Sequence, residues 1–478
     1  MKAIVVGAGL AGLTAAADLA DAGAEVLVLE KRHVPGGKAS SWSEGEYPVE
    51  SGLHIFFGCY RELLGMMKRV GAYDHIHWKE HTIHVAQPGG KVSMFRFPNV
   101  PAPFNGIVAF SGNDLLTWLE KLTNVRALIR PWLTPLRRVA RWDDRTYAQW
   151  HRDHGIAEGV LAKWWNPIAL SMGFLDAEEM SARPMTTVFH HFSRKADASR
   201  VGFLDGPPGE RMHRQFVEYI EARGGEVRCD SKVEQLELDW GSGSPTISGV
   251  RLATGEVLQA EAVVLAAPLH NTRRLVPKVL RHHPYFTNLW RLKSVPVMNV
   301  QIWFDRYVSE ADNLFFTAHA PFSVFADLAV TSPLFDRTGG SLVSMAVAPA
   351  RKLWHLSDEE IVGACVQALA ELWPRTRMAR IVHSTVVKIP NSIYREVPGS
   401  DALRPTQRTP IRNLALAGDY TRQDYMASME GAVRSGHRAA GALVTQLGAS
   451  GSLRDGKIGA HQTALGREVS HATCSRTI

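Results

Sequence analysis

Cysteine is scarce in this 478-residue chain: Cys59, Cys229, Cys365 and Cys474 are widely spaced and form no CxxC. That spacing excludes a disulfide framework and a thiolate metal site, and it reads as reduced thiols in a cytosolic protein with no metal. Also missing is any uninterrupted run of the roughly 18 to 20 apolar residues that a membrane-spanning helix needs. The apolar N-terminus, MKAIVVGAGLAGLTAAADLA, is broken by glycines and followed by a second strand, EVLVLEKR, so a folded βαβ unit explains it better than a cleaved signal. Acids are outnumbered, 47 Asp and Glu against 54 Lys and Arg, for a formal charge of +7. Nucleic acid or an anionic membrane face suits such a surplus. Base-reading motifs are absent, which leaves the membrane and excludes nucleic acid as a partner. There is no GxSxG, no HExxH and no paired-carboxylate signature. The neighbouring pairs His190-His191 and His282-His283 diverge on helix or strand and make no bidentate metal site. Whatever chemistry the protein performs must therefore come from a bound cofactor.

The N-terminus supplies a place for one. Residues 3–6, AIVV, predict a buried parallel strand. Gly7-Ala8-Gly9-Leu10-Ala11-Gly12 follows at once and opens a helix ending near Gly23, after which AEVLVLE forms a second strand ending at Glu30, beside Lys31. In such a unit Gly7 permits the tight turn, Gly9 lets the backbone approach a pyrophosphate, and Gly12 lets helix and strand pack closely. The helix N-terminus offers free N–H groups to phosphate. Glu30, 18 residues beyond Gly12, stands where a carboxylate binds ribose hydroxyls.

A second glycine-marked junction lies near the other end, in LALAGDYTRQDYMASMEGAVRSGHRAAG. NLALAGD reads as a strand broken at Gly418-Asp419, and a helix opens at Met429-Glu430-Gly431. The loop KRHVPGGKASSW supplies Gly36-Gly37-Lys38, which resemble the FAD-binding continuation of the amine-oxidase-like flavoproteins. In that group the end of the chain returns to the nucleotide domain. Gly-Asp then meets the pyrophosphate and a helix N-terminus meets the flavin, so both ends of this chain are expected to share one FAD. A valine from the middle of the chain, here Val233, would lay its backbone against the adenine. No second GxGxxG follows a strand, so no nicotinamide domain is expected and the electrons need another acceptor.

Two segments stand apart from this fold. Residues 76–204 are rich in Trp, Pro and Arg. Within them Leu115, Leu119, Leu122, Val125, Ile129, Trp132, Leu136 and Val139 recur at helical steps, with a break expected near Pro131 and Pro135. Lys121, Arg126, Arg130, Arg137, Arg138 and Arg141 accompany them against one acid, Glu120. Such a helix pair either docks an apolar face in a bilayer with arginines at the phosphates, or packs in the core with a solvated basic face. Residues 271–385 alternate as strands in VMNVQIWF, FSVFADLAV and SLVSMAVA, suggesting a sheet that floors a cavity, with a helix over residues 355–373. From residue 448 the chain has little apolar content and predicts disorder.

ESGLHIFFGCY, WKEHT, WNPIALSMGFLDAEEMSARPM, VFADLAVTSP, SIYREVPGSDALRPTQRTPIRN and AGDYTRQDYMASMEGAVRSG resemble the plant- and cyanobacterial-type carotene desaturases, over residues 1 to about 447. WNPIA, FADLAVTSP and DYMASMEGA bring the chain nearer the zeta-carotene desaturases than the phytoene desaturases, which carry an arginine where this chain has His191. The resemblance implies an α/β fold. Its Rossmann-like FAD domain would comprise residues 1–75, 205–270 and 386–447, with an inserted substrate domain of mixed sheet (271–385) and helices (76–204). It also implies an FAD-dependent oxidoreductase acting on CH–CH groups of a C40 polyene, a quinone acceptor, and a peripheral place on the cytoplasmic membrane. His54, Phe57, Trp165, Phe189, His191 and Phe192 would line the substrate tunnel, and no general base is assigned. The rivals are a phytoene desaturase, a hydroxysqualene-processing flavoenzyme, a flavin amine oxidase with an aromatic cage from Tyr420 and Tyr425, and a prenyl-binding escort protein without flavin.

Overall fold

The computed structural model describes residues 1–241, 245–335 and 339–448. Beyond Gly448 the tail expected to be disordered, Cys474 included, lies outside the described residues.

Lys2–Val6 is apolar after its first residue and buried on both faces, as a central parallel strand must be. It pairs in parallel with Glu25–Leu29 on one side and Ala262–Leu265 on the other. The sheet is completed by Glu226–Arg228 and Leu414–Leu416, giving the spatial order 226–228, 25–29, 2–6, 262–265, 414–416. Strands from the beginning, middle and end of the chain thus lie within one layer. Helix Leu10–Asp21, rich in alanine and leucine, is almost wholly buried against it. The C-terminal helix Met429–Gly448 packs beside that helix, and His437 Nδ1 lies 2.6 Å from Asp18 Oδ2. The two glycine-marked junctions therefore meet, as the sequence predicted.

The second layer is a seven-stranded sheet, ordered 381–394, 294–304, 342–347, 322–327, 315–316, 82–87, 91–96. The hairpin 82–96, read from sequence as part of a helical segment, belongs to this sheet through the pairing of Phe315 with His84. Strand Ile381–Tyr394 runs on past residue 385, where the sequence reading returned the chain to the FAD domain; it pairs antiparallel with Ser294–Phe304 throughout.

Alternation decides what each sheet face does. Val300, Ile302, Phe304, Val343, Met345, Val347, Phe322 and Phe325 join Ile361, Cys365 and Leu369 of helix Asp358–Leu372 in a separate apolar core. Their neighbours Val297, Asn299, Ala346, Phe316 and Val324 face the nucleotide layer. Two polar members of that second face clamp the layers together. Gln301 Oε1 accepts from Glu50 N at 2.8 Å, and Asn299 Nδ2 donates to the Glu50 carbonyl at 3.2 Å.

Candidate functional site

At the strand-to-helix turn Gly7–Gly12, a Cβ on Gly12 would sit 1.9 Å from the Gly7 carbonyl oxygen, so no larger residue fits between helix and strand. The helix begins at Leu10 after an N-cap Gly9 that makes no side-chain cap, and its first turn carries no acid. Its N–H groups are thus left to a ligand. Glu30, at the end of the second strand, is almost fully buried. Its carboxylate accepts from Ala8 N at 2.9 Å and Arg32 N at 3.0 Å, which ties the first turn to the second strand. Gly36 N donates to the Ala8 carbonyl at 2.7 Å, folding the Gly36-Gly37-Lys38 loop over the turn.

The other end of the chain closes the same site. Gly418 takes φ +142°, a conformation open to glycine, where strand Leu414–Leu416 gives way to loop. Asp419, next in line, receives both hydrogen bonds from Lys38 Nζ, at 2.7 and 2.8 Å. Glu430 leaves the first turn of the C-terminal helix and accepts from Glu62 N and Leu63 N at 3.2 and 2.9 Å, capping helix Arg61–Val70. Its carboxylate is spent on that cap and on Arg434 at 2.8 Å, so the junction beside it keeps its positive end.

A cavity of about 540 Å³ joins these elements. Gly7, Gly9, Leu10, Ala11, Glu30, Lys31, Gly36, Gly37, Lys38, Gly418, Asp419 and Met429 line one part of it. Ala8, Gly12 and Gly431 lie behind that lining as the packing that shapes it. Val233 also stands outside it, at the start of strand Val233–Asp239, two residues past Ser231, whose N–H donates to the Glu30 carbonyl at 2.7 Å. The opposite part is apolar. Met172, Phe174, Val297, Phe316, Val324, Ala346, Val387 and Ile389 supply it, with Ser171, Asn299, Asn391 and Ser392 as polar groups and Lys388, whose ammonium pairs with Asp358 at 2.8 Å.

Of the residues expected to line a substrate tunnel, His54 and Phe57 do so. Trp165, Phe189, His191 and Phe192 do not. Trp165, Phe189 and Phe192 form a ladder of rings behind Phe57: Trp165 to Phe189 at 4.6 Å, Phe189 to Phe192 at 5.4 Å, and Phe192 to Phe57 at 5.2 Å. Trp165 is fully buried and its Nε1 donates to Asn124 Oδ1 at 2.9 Å. His191 sits against Tyr425, rings 5.3 Å apart, and burial beside Arg434 pushes it down to about 4, so it is neutral. The lining sequence reasoning missed comes from the sheet. Period-two alternation in VMNVQIWF was the signal that separates Val297 and Asn299 from their core-facing neighbours.

A titratable pair and a further buried acid border the cavity. His54 Nδ1 lies 3.1 Å from Glu50 Oε2, and its Nε2 lies 3.1 Å from the Lys38 carbonyl. That carbonyl only accepts, so Nε2 carries a proton, and one further proton is shared between Nδ1 and the carboxyl. Burial raises Glu50 above the usual carboxylate range despite His54. Glu396 is buried too, and desolvation lifts it to about 7; its Oε1 accepts from Ala427 N at 3.1 Å, on the cavity wall.

Residues 10–444 match the family described as flavin-containing amine oxidoreductase. The chain is 39% identical to a probable zeta-carotene desaturase of Synechococcus elongatus, over 93% of this chain and 98% of that one. It is 36% identical to the 15-cis-phytoene desaturase of the same organism, over 93% and 96% of the two chains. It belongs to the carotene desaturase branch of the flavin-containing amine oxidoreductases. The protein is accordingly a flavin-family oxidoreductase, with the α/β fold that the sequence implied. Among solved structures an oxidoreductase from Methanosarcina mazei covers 91% of this chain and 99% of its own, with a TM-score of 0.72 at 17% identity. Putrescine oxidase covers 93% and 99% with a TM-score of 0.64 at 18% identity. These two show the shared fold alone. An amine oxidase cage from Tyr420 and Tyr425 is not formed on the cavity wall. Both rings are buried, with Tyr420 OH 2.9 Å from Thr272 Oγ1 and Tyr425 OH 3.2 Å from Cys59 Sγ.

The helix singled out for membrane contact spans Trp118–Leu133, running through Pro131 and breaking at Pro135. Its polarity is reversed. Glu120, Asn124, Ala127 and Pro131 are buried, whereas Trp118, Leu119, Leu122 and Leu133 are 78%, 67%, 71% and 62% exposed. Polar anchors hold that orientation. Glu120 accepts from Lys163 Nζ at 2.8 and 2.9 Å and closes a capping box with Thr117, and Asn124 takes the Trp165 hydrogen bond. Phe104 and Val108 on the adjoining helix Phe104–Ser111 are 59% and 50% exposed. No helix of the described residues is long and apolar enough to cross a membrane.

Proposed function

We propose that the protein is an FAD-dependent carotene desaturase that dehydrogenates a C40 polyene of the zeta-carotene type at a membrane surface, with a quinone taking the electrons. The observation that carries this reading is the joining of a dinucleotide cradle to an apolar sheet face within one cavity. The residues present fit FAD. The Gly7–Gly12 turn leaves its helix N-terminus uncapped for a pyrophosphate, Glu30 is held at the strand end where ribose hydroxyls bind, and Val233 lies beside that end for the adenine. Gly36, Gly37, Lys38, Gly418 and Asp419 border the space between the two ends of the chain. Met429 and Gly431 open the helix whose positive end faces it. When bound, FAD supplies the hydride acceptor that no side chain here can provide.

The chain's own residues do the rest. Val297, Phe316, Val324, Ala346 and Ile389 exclude water and align an apolar chain, while Ser171, Asn299, Asn391 and Ser392 are too few to solvate it and the Lys388 ammonium is held by Asp358. The Glu50–His54 pair holds one exchangeable proton at the wall. A polyene stabilises positive charge along its conjugation, so weak proton acceptors suffice. The outward apolar face of helix Trp118–Leu133, flanked by Lys121, Arg137, Arg138 and Arg141, suits a bilayer that stores both polyene and quinone.

The test is incubation of purified protein with zeta-carotene and a quinone in liposomes. Lengthening of the chromophore, seen as a red shift in absorption, is the expected result. A yellow protein whose flavin is not reduced by zeta-carotene without oxygen would overturn the substrate, and a colourless one would favour the escort reading.

A further inference from the structure

Arg404 is fully buried, lies outside the cavity lining, and forms an ion pair with Asp401 at 3.2 Å. Its guanidinium instead gathers the loop between the last strand and the C-terminal helix. Nη2 donates to the carbonyls of Asp419 and Thr421 at 3.2 and 2.6 Å, and Nη1 to those of Gln423 and Tyr425 at 3.3 and 3.2 Å. Every second carbonyl from 419 to 425 thus turns inward onto one cation. A trans peptide points its N–H opposite to its carbonyl, so the N–H groups that follow are turned away from the arginine. Asp401 Oδ1 at 3.2 Å, which also accepts from Arg183, supplies the opposing charge, and the face of Tyr394, 5.0 Å from the guanidinium, adds a cation–π contact. The loop has no regular structure of its own, yet it carries Asp419 at one end and Met426 and Ala427 at the other, all on the cavity wall.

We propose that Arg404 is a positioning residue for the cofactor, fixing the 419–427 loop in its binding shape before flavin arrives. This rests on the FAD reading above. The planar fork is what the site requires: a lysine offers three donors at a point and cannot reach four carbonyls spread across a plane.

Apo-protein is titrated with FAD, following quenching of flavin fluorescence, for the wild type, Arg404→Lys and Arg404→Met, and the melting temperature of each apo form is recorded. Arg404→Lys keeps the charge and is expected to raise the Kd about tenfold; Arg404→Met is expected to raise it about 100-fold, the scale on which loss of a supporting partner behind a ligand shell acts. A role confined to general stability predicts the reverse pattern, with a lower apo melting temperature and an unchanged Kd for the folded fraction. That pattern in Arg404→Lys overturns the proposal even if Arg404→Met does not fold. If the wild type binds FAD and both variants bind it equally, the assignment to Arg404 fails alone. If the wild type binds no flavin, the cofactor reading fails and the assignment falls with it.

Discussion

Replacing Leu119, Leu122 and Leu133 together by serine tests the reversed helix most directly. The three side chains are 67%, 71% and 62% exposed, so in total they present about twice the surface of one free leucine. Burying a whole leucine is worth about 2 kcal/mol, and moving this surface into a bilayer therefore contributes about 4 kcal/mol. Vesicle affinity should fall roughly 1000-fold, since each 1.4 kcal/mol is about a factor of ten. Stability should hardly change, because surface substitutions away from packed features are worth about 0.5 kcal/mol or less. Co-sedimentation with liposomes, together with thermal melting of the same preparations, separates the two effects. Unchanged vesicle binding by a folded triple variant would refute membrane docking through this face. A large fall in melting temperature would show instead that the leucines pack within the protein.

Gly12→Val places its Cβ against the Gly7 carbonyl, where backbone cannot give way, and the purified protein should lack flavin absorption; full flavin occupancy would sink the cradle argument. Glu396 stays protonated in the folded protein to about pH 7 but ionises near 4.5 when unfolded, so it contributes a loss of stability as pH rises between those values. Glu396→Gln keeps an acceptor for Ala427 N. The wild-type melting temperature should fall relative to the variant's across that window, by the equivalent of at most about 3 kcal/mol; parallel curves would contradict the assigned titration. Glu120→Ala removes a cap and the partner of Lys163, and denaturant titration should show a loss of about 1 to 2 kcal/mol.

The nucleotide end was legible because its chemistry is written in consecutive residues. A strand, three glycines and an acid at fixed spacing serve backbone geometry, which a local sequence controls. The return of the chain through Gly418-Asp419 was legible for the same reason, aided by the resemblance to flavoproteins. Rings were harder to place. Trp165 and Phe192 are as apolar as Phe57, and only the packing of the helices decides which of them reaches the cavity.

By itself, then, the sequence determined the glycine turns, the acid at the end of the second strand and the periods of the helices and strands. Each of these is set by local backbone sterics and hydrogen bonding. Tertiary structure alone decided that the 82–96 hairpin completes the substrate sheet, that helix Trp118–Leu133 turns its leucines outward, and that Arg404 closes on four carbonyls. Those outcomes depend on which distant partner satisfies each buried polar group: Lys163 for Glu120, Trp165 for Asn124, and the 419–425 backbone for the arginine.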